Sequence, residues 1–365
     1  VTAPGISIVV PTLGRASLGA LLASLAAGPR PGLPLELVLV DDRPDRSVPL
    51  ALPGKTCGGI ELRVLGGRAA GPAAARNVGW RDARYDWVAF LDDDVLPDRT
   101  WLTRLAADLA GTEAGGVQGN LRVPLPAGRR PTDWERVTAA LADGAWITAD
   151  MAYRYEVLAE VGGFDERLPR AFREDAELAY RVRRAGWELD RGTRTVTHPV
   201  RPESPWVSVR TQRGNADDAL LRRLYGPHWR ALLEIPPGRR PRHAVVATAG
   251  AVALGCAAVA ALPGRRRGWL AGASAAAAVW VAGTAEFAAA RIGPGPRDRR
   301  EVATMLVTSA VIPPVAVAHW LRGRVRRPDA GPPAPAVGRD VLVPRAGAAV
   351  RRRADRRWAH AEVQR

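Results

Sequence analysis

An α/β domain built on a mostly parallel central sheet, followed by hydrophobic helices, is the fold class that this 365-residue chain predicts. Three observations carry the reading. Short β-branched runs alternate with helical stretches over residues 1–235. Acidic residues gather where several of those runs end, which is where ligands sit in open α/β sheets. Beyond "PPGRRPRH" come three apolar segments of about the length a bilayer crossing needs. With 47% hydrophobic residues, the chain can bury one large core or two smaller ones.

Taken in order, "ISIVVPT", "LELVLVDD", "ELRVLGG" and "WVAFLDDD" read as strands buried on both faces. Between them, "RASLGALLASLAAG" and "GPAAARNVGWRDA" have helical periodicity with Gly or Pro at the ends. "RTWLTRLAADLA" reads as a further helix with Asp98 as its N-cap. "FREDAELAYRVRRAGWEL" is an amphipathic helix that opens on Glu174 and Asp175, a place where the helix dipole favours acid. "VGGFDERL" before it reads as a turn with permissive glycines.

The apolar segments are Ala244 to Leu262, Trp269 to Ala290 with Glu286 near its end, and Val302 to Leu321, broken by Pro313-Pro314. Arg clusters flank them, which favours membrane association over a set of buried core helices. "GRRRG" after the first segment and "RGRVRR" after the third cannot both face the cytosol if all three cross, so the third is also read as an interfacial element. The tail, residues 328–365, is rich in Pro, Ala and Arg and is expected to be disordered.

The net charge of +16 is almost all Arg, since Lys55 is the sole lysine. Much of it lies beyond Pro237, around the apolar segments, and points to anionic lipid headgroups. No aromatic-studded basic motif accompanies it, so no nucleic-acid partner is expected. Cys57 and Cys256 make no disulfide framework, and "ISIVV" is too short for a signal-peptide core, so the catalytic region is expected in the cytosol.

The chemistry rests on charged residues at strand and helix ends. Three adjacent carboxylates, Asp92 to Asp94, repel one another by roughly 3 kcal/mol per pair at ~5 Å and an effective dielectric of ~20. That cost implies a cation, and Asp92-x-Asp94 suits Mg2+ or Mn2+ held together with substrate phosphates. His198 in "TVTHPV" is a candidate to complete the shell. Asp41 and Asp42 can bond a base or ribose, and Arg76 and Asn77 of "AAARNVG" lie early in a helix, where a guanidinium can read a diphosphate or base. Glu174 and Asp175 are candidates for deprotonating a hydroxyl.

In order and spacing, "ISIVVPTLGR", "LVLVDD", "AAARNVGW", "WVAFLDDDVLP", "EVGGFDERL" and "REDAELAYRVRRAGW" resemble a family 2 glycosyltransferase of the GT-A fold. The resemblance covers roughly the first 230 residues. It implies inverting transfer from a nucleotide-sugar with Mg2+ or Mn2+. Pro11, Thr12, Arg15, Asp41, Asp42, Arg76, Asn77, Asp92 and Asp93 then bind the donor, and Asp92 and Asp94 form the DxD motif, with His198 as a further ligand. Asp175 is the base, supported by Glu174. Trp146 and Asp150 are acceptor candidates.

The family's first loop often reads Pro-Thr-Tyr-Asn, whereas this chain has Pro11-Thr12-Leu13-Gly14, which removes a base-stacking ring. UDP is the first donor expected, with GDP or dTDP as alternatives. The Gln-x-x-Arg-Trp motif of processive synthases is absent, so single transfers are expected.

The expected organisation is a GT-A catalytic domain over 1–235, a membrane-associated region over 236–327 and a basic tail. The acceptor is a cell-envelope or lipid-linked glycan, with membrane lipids as further partners. A polyprenyl phosphate acceptor and a catalytically silent scaffold are the competing readings.

Overall fold

The computed structural model describes residues 2–263 and 266–325. The elements of the first half are β1 (Ala3–Thr12), α1 (Ser17–Ala27), β2 (Leu35–Asp41), β3 (Thr56–Cys57), β4 (Ile60–Gly66), α2 (Pro72–Arg81), β5 (Tyr85–Leu91), β6 (Leu96–Pro97), α3 (Trp101–Leu109) and β7 (Gly116–Arg122). The second half has α4 (Asp133–Ala139), β8 (Asp150–Arg154), α5 (Tyr155–Val161), α6 (Glu174–Arg184), β9 (Leu189–Thr197), α7 (Val207–Arg210), α8 (Asn215–Tyr225) and α9 (Trp229–Leu232). Three long helices follow: α10 (Arg240–Ala260), α11 (Arg266–Ile292) and α12 (Arg299–Val325). The expected disordered tail lies outside the described residues.

The nine strands of the described residues join one sheet in the order β3-β4-β2-β1-β5-β8-β7-β9-β6. The β-branched runs of β1, β2 and β5 form its centre because both of their faces are covered. Val9, Val38 and Val88 are fully buried on one side, and Ile8, Leu37 and Ala89 on the other. Helix α1 closes the second side with Leu18, Leu21, Leu22 and Leu25, one helical stripe. Each leucine contributes about 2 kcal/mol of burial. Helix α2 closes the first side and comes close enough that a Cβ at Gly79 would overlap Val9.

The parallel pairing expected from sequence holds for β4-β2-β1-β5 and for β7-β9. It does not extend across the sheet. Strand β8 runs antiparallel to both β5 and β7, and the chain enters it from α4 through one 3₁₀ turn at Ala140–Asp143. Asp98 is not the cap of α3. Thr100 holds that position, and Asp98 offers its backbone carbonyl to Trp101 N–H instead.

The third apolar segment is also unbroken, since α12 runs straight through Pro313 and Pro314. All three long helices are long and apolar enough to cross a membrane.

Candidate active site

The carboxyl ends of β1, β2 and β5, the N-terminus of α6 and the end of β9 converge on one charged cluster. Its first part is the turn after β1. Asp93 is buried, accepts from Thr12 Oγ1 at 2.7 Å and Leu13 N at 3.3 Å, and takes Arg15 Nη1 at 2.8 Å. Thr12 Oγ1 in turn accepts from Gly14 N. The middle aspartate therefore fixes the loop that Pro11 enters from β1 and leaves Arg15 41% exposed.

The second part is the loop after β2. Asp41 accepts from Arg43 Nε, Nη2 and backbone N, and the Arg43 guanidinium holds its carboxyl below the usual range despite burial. Asp42 accepts from Ala69 N at 2.7 Å and Gly71 N at 3.0 Å and so shapes the turn into α2. Gly71 has φ +96°, and a side chain there would collide with the Pro169 carbonyl, so only glycine makes this turn.

The third part is a buried arginine. Arg76 is 1% exposed and donates Nη1 to Glu174 Oε1 at 2.9 Å and Nη2 to Asp92 Oδ1 at 2.7 Å, with its guanidinium over the Phe164 ring. Two carboxylates outweigh desolvation and keep it charged. Sequence placed Arg76 on the donor, but its guanidinium is spent on Asp92 and Glu174 and joins the acidic loop to helix α6. Asn77 departs further. Its amide bonds Phe164 O, Glu166 Oε1, Phe164 N and Trp80 Nε1, so all of its capacity holds α2 to the 162–166 turn and none is left for a donor.

Glu174 is buried, its Oε2 has no hydrogen-bond partner, and its carboxyl is pushed up to about 7 by burial first and the Asp175 charge second, with Arg76 opposing. Asp175 sits beside it, only half-buried, and accepts from Ala176 N at 2.7 Å. Desolvation raises its carboxyl too, against the pull of the Ala176 N–H, Arg76 and Arg173. An elevated, partly exposed carboxyl is suited to exchanging a proton.

Asp94 makes the last part. It is 8% exposed, and its Oδ1 lies 3.6 Å from His198 Nε2 while its Oδ2 lies 3.2 Å from Arg201 Nε. His198 Nδ1 is 3.2 Å from the Pro199 carbonyl. That carbonyl accepts from Nδ1–H and leaves Nε2 on the Asp94 side, where it pairs with the carboxylate when protonated and can ligate a metal when neutral. Backbone support of one ring nitrogen is the usual setting of a metal-ligating histidine. Among the described residues no cluster of three such side chains stands ready for a metal. The Asp94–His198 pair with Asp92 nearby therefore fits an ion that completes its shell with phosphate oxygens and water. Burial and the Asp92 charge raise the Asp94 carboxyl, against His198 and Arg201. Arg201 was not singled out in the sequence; its only signal is its place three residues after His198.

The acceptor candidates fall elsewhere. Asp150 is 2% exposed and bonds Trp101 Nε1 at 2.8 Å and Arg194 Nε at 2.7 Å, so neither oxygen is available to a sugar. Trp146 has φ +64°, gives its indole N–H to Glu234 at 3.0 Å and packs against the core beneath the sheet. A cleft of about 490 Å³ does open beside Arg201, between Trp134 of α4, Pro202 and Ser204 of the following loop, and Thr304 and Met305 of α12.

Residues 7–144 match the family model described as Glycosyl transferase family 2. The chain is 30% identical over 200 residues to the pre-mycofactocin glycosyltransferase of Mycobacterium tuberculosis, a match covering 50% of this chain and 40% of that protein. The chain thus spans less than half the length of that relative. It is 25% identical over 212 residues to the glycosyltransferase AglE of Haloferax volcanii, covering 55% of this chain and 69% of that one. Among solved structures, the mannosyltransferase PcManGT from Pyrobaculum calidifontis, in complex with GDP-Man and Mn2+, aligns with a TM-score of 0.51 at 19% identity. That alignment covers 88% of this chain and 89% of that one.

Proposed function

We propose that this chain, which carries a family 2 glycosyltransferase domain of the GT-A fold, moves a sugar from a nucleotide-sugar to a hydroxyl of a cell-envelope or lipid-linked glycan, with inversion and one sugar at a time. The observation that carries the reading is the meeting of two groups in one cluster: the half-buried Asp175 at the start of α6, and the Asp94–His198 pair at the end of β5 and β9. One base and one electrophilic site suffice for a single displacement, in contrast to the two carboxylates of glycoside hydrolysis.

In this reading Asp175 takes the acceptor proton as the hydroxyl attacks the anomeric carbon, and the nucleotide leaves from the opposite face. Asp94 and His198, with Asp92 nearby, would hold Mg2+ or Mn2+, which when bound would neutralise charge on the donor diphosphate. Thr12, Arg15 and the Asp93-locked loop line the donor side, with Asp41 and Asp42 beneath the base. Arg76 and Glu174 position rather than bind. Arg76 sets the spacing between the Asp92 loop and α6, and Glu174 holds Arg76 beside Asp175, whose carboxyl is raised by desolvation and the Asp92 charge.

The donor is a UDP-, GDP- or dTDP-sugar; Leu13, 47% exposed, stands where a stacking ring is expected. The enzyme is membrane-associated, with residues 1–235 as the catalytic unit in the cytosol. Asp175→Asn tests the base. Turnover should fall by about 10² to 10⁴ while donor affinity stays near wild type, and unchanged turnover refutes the assignment.

A further inference from the structure

We infer that only α10 and α11 cross the membrane, and that α12 lies in the plane of the bilayer surface as a shelf between the lipid and the catalytic domain.

Helix α12 touches the catalytic domain along its whole length. At its start Glu301 Oε1 accepts from Asp133 N of α4 at 3.0 Å. In its middle Thr308 and Ser309 accept from Arg291, which also bonds Asp133 of α4 and Ser208 of α7. At its end the Gly323 carbonyl takes Arg223 Nη2 of α8 at 2.8 Å, and a Cβ at Gly323 would collide with Ala216. From Glu301 to Gly323 is about 33 Å of helix, as long as the hydrocarbon core is thick. A helix that crossed would carry its two ends to opposite sides, yet both ends are bonded to one domain. The helices it lies on carry Arg210, Asp217, Asp218, Arg222 and Arg223, which do not enter hydrocarbon.

The opposite face of α12 is exposed and apolar. Ala303, Leu306, Val307, Pro314, Ala318, Leu321 and Val325 recur at helical spacing along it. A helix apolar on both faces, with protein on one, fits lipid on the other. Arg299 and Arg300 at one end and Arg322 and Arg324 at the other suit anionic headgroups.

Helices α10 and α11 behave differently. They pair with each other, where Gly250 lies against Trp280 and Gly283 against Val246. Among the described residues the hairpin is fixed at its base, where Arg291 of α11 bonds Asp133 and Ser208 and Arg240 lies over Trp320 of α12, while Arg239 ties α10 to Glu286 of α11. Above it Val252, Leu254, Leu262, Trp269, Leu270 and Val279 are exposed. From its base at Arg240 to Ala260, α10 is about 30 Å long, enough to cross. This arrangement returns Arg322 and Arg324 to the catalytic side, where three spans would place them opposite, and leaves Arg266 and Arg267 at the far end of the hairpin.

Topology labelling on the full chain tests this independently of any transferase activity. Single cysteines at Val48 in the catalytic domain, Leu262 at the hairpin turn and Val325 after α12 go into a background with Cys57 and Cys256 replaced by Ser. A membrane-impermeant maleimide is then applied to sealed vesicles of either orientation. Val48→Cys and Val325→Cys should label from one side and Leu262→Cys from the other. Labelling of Val325→Cys from the side opposite Val48→Cys means three spans and overturns the inference, as does labelling of all three from one side. Nitroxides at Leu306 and Leu321 should report equal, shallow depths; depths on opposite sides of the bilayer midplane contradict the shelf.

Discussion

Replacing Arg76 by Met removes the one cation between Glu174 and Asp92, and the structure sets both the size and the pH dependence of the result. Arg76 is 1% exposed and Glu174 2%, so no water replaces the bond to Glu174, whereas Asp92, 30% exposed, is rehydrated. Removing one member of a buried ion pair costs about 3–5 kcal/mol. The Glu174 carboxyl already sits at about 7, well above the 4.5 of a free glutamic acid. A carboxyl raised in the folded state binds its proton more tightly there, so stability falls as pH rises from about 4.5 to about 7, by roughly 3 kcal/mol in the wild type. Without Arg76 the carboxyl rises further, and the full loss appears above neutrality. Near pH 5.5 Glu174 is protonated in both proteins, and only the Asp92 share of the loss remains. Chemical denaturation in detergent at pH 5.5 and pH 8 should therefore show a deficit of about 3–5 kcal/mol at pH 8 and less than half of it at pH 5.5. A deficit that is equal at both values, or below about 1 kcal/mol at pH 8, would refute the buried bridge.

Two further substitutions separate structure from chemistry. Asp150→Ala leaves the Trp101 indole N–H and Arg194 Nε without their acceptor, while Arg194 keeps Asp108 and the Val117 carbonyl, and should lower stability by about 1–3 kcal/mol with nucleotide affinity of the folded protein unchanged; a selective loss of acceptor use with normal stability would restore Asp150 to the acceptor site. Asp94→Ala should remove the Mn2+-dependent part of donor binding in a titration with and without the ion, and a wild-type affinity that ignores the metal would refute the role of Asp94.

The central strands were legible because β-branched runs buried on both faces have no other use, and the charged strand ends were legible because like charges side by side need a reason. What sequence could not show is which polar groups are already spoken for. Arg76 meets Glu174 98 positions away, and Asn77 meets the Phe164 backbone 87 positions away, so both looked available in a local reading. Asp93 looked like a member of the acidic run, and only the return of β1 beside β5 makes it the anchor of the first loop. "DMAYR" carries too short a pattern to announce an antiparallel strand. Pro313-Pro314 announced a break that packing against the catalytic domain overrides. Arg201 came to notice only through its contact with Asp94.

The most direct test of the account is a thermal-shift panel of the full chain in detergent with UDP, GDP and dTDP, each with and without Mn2+. At a hundredfold excess over the dissociation constant, binding stabilises by about 2.7 kcal/mol. The account predicts stabilisation by one of the three nucleotides, only when the metal is present, and its loss in Asp94→Ala. No shift with any nucleotide, or an equal shift without metal, would contradict it.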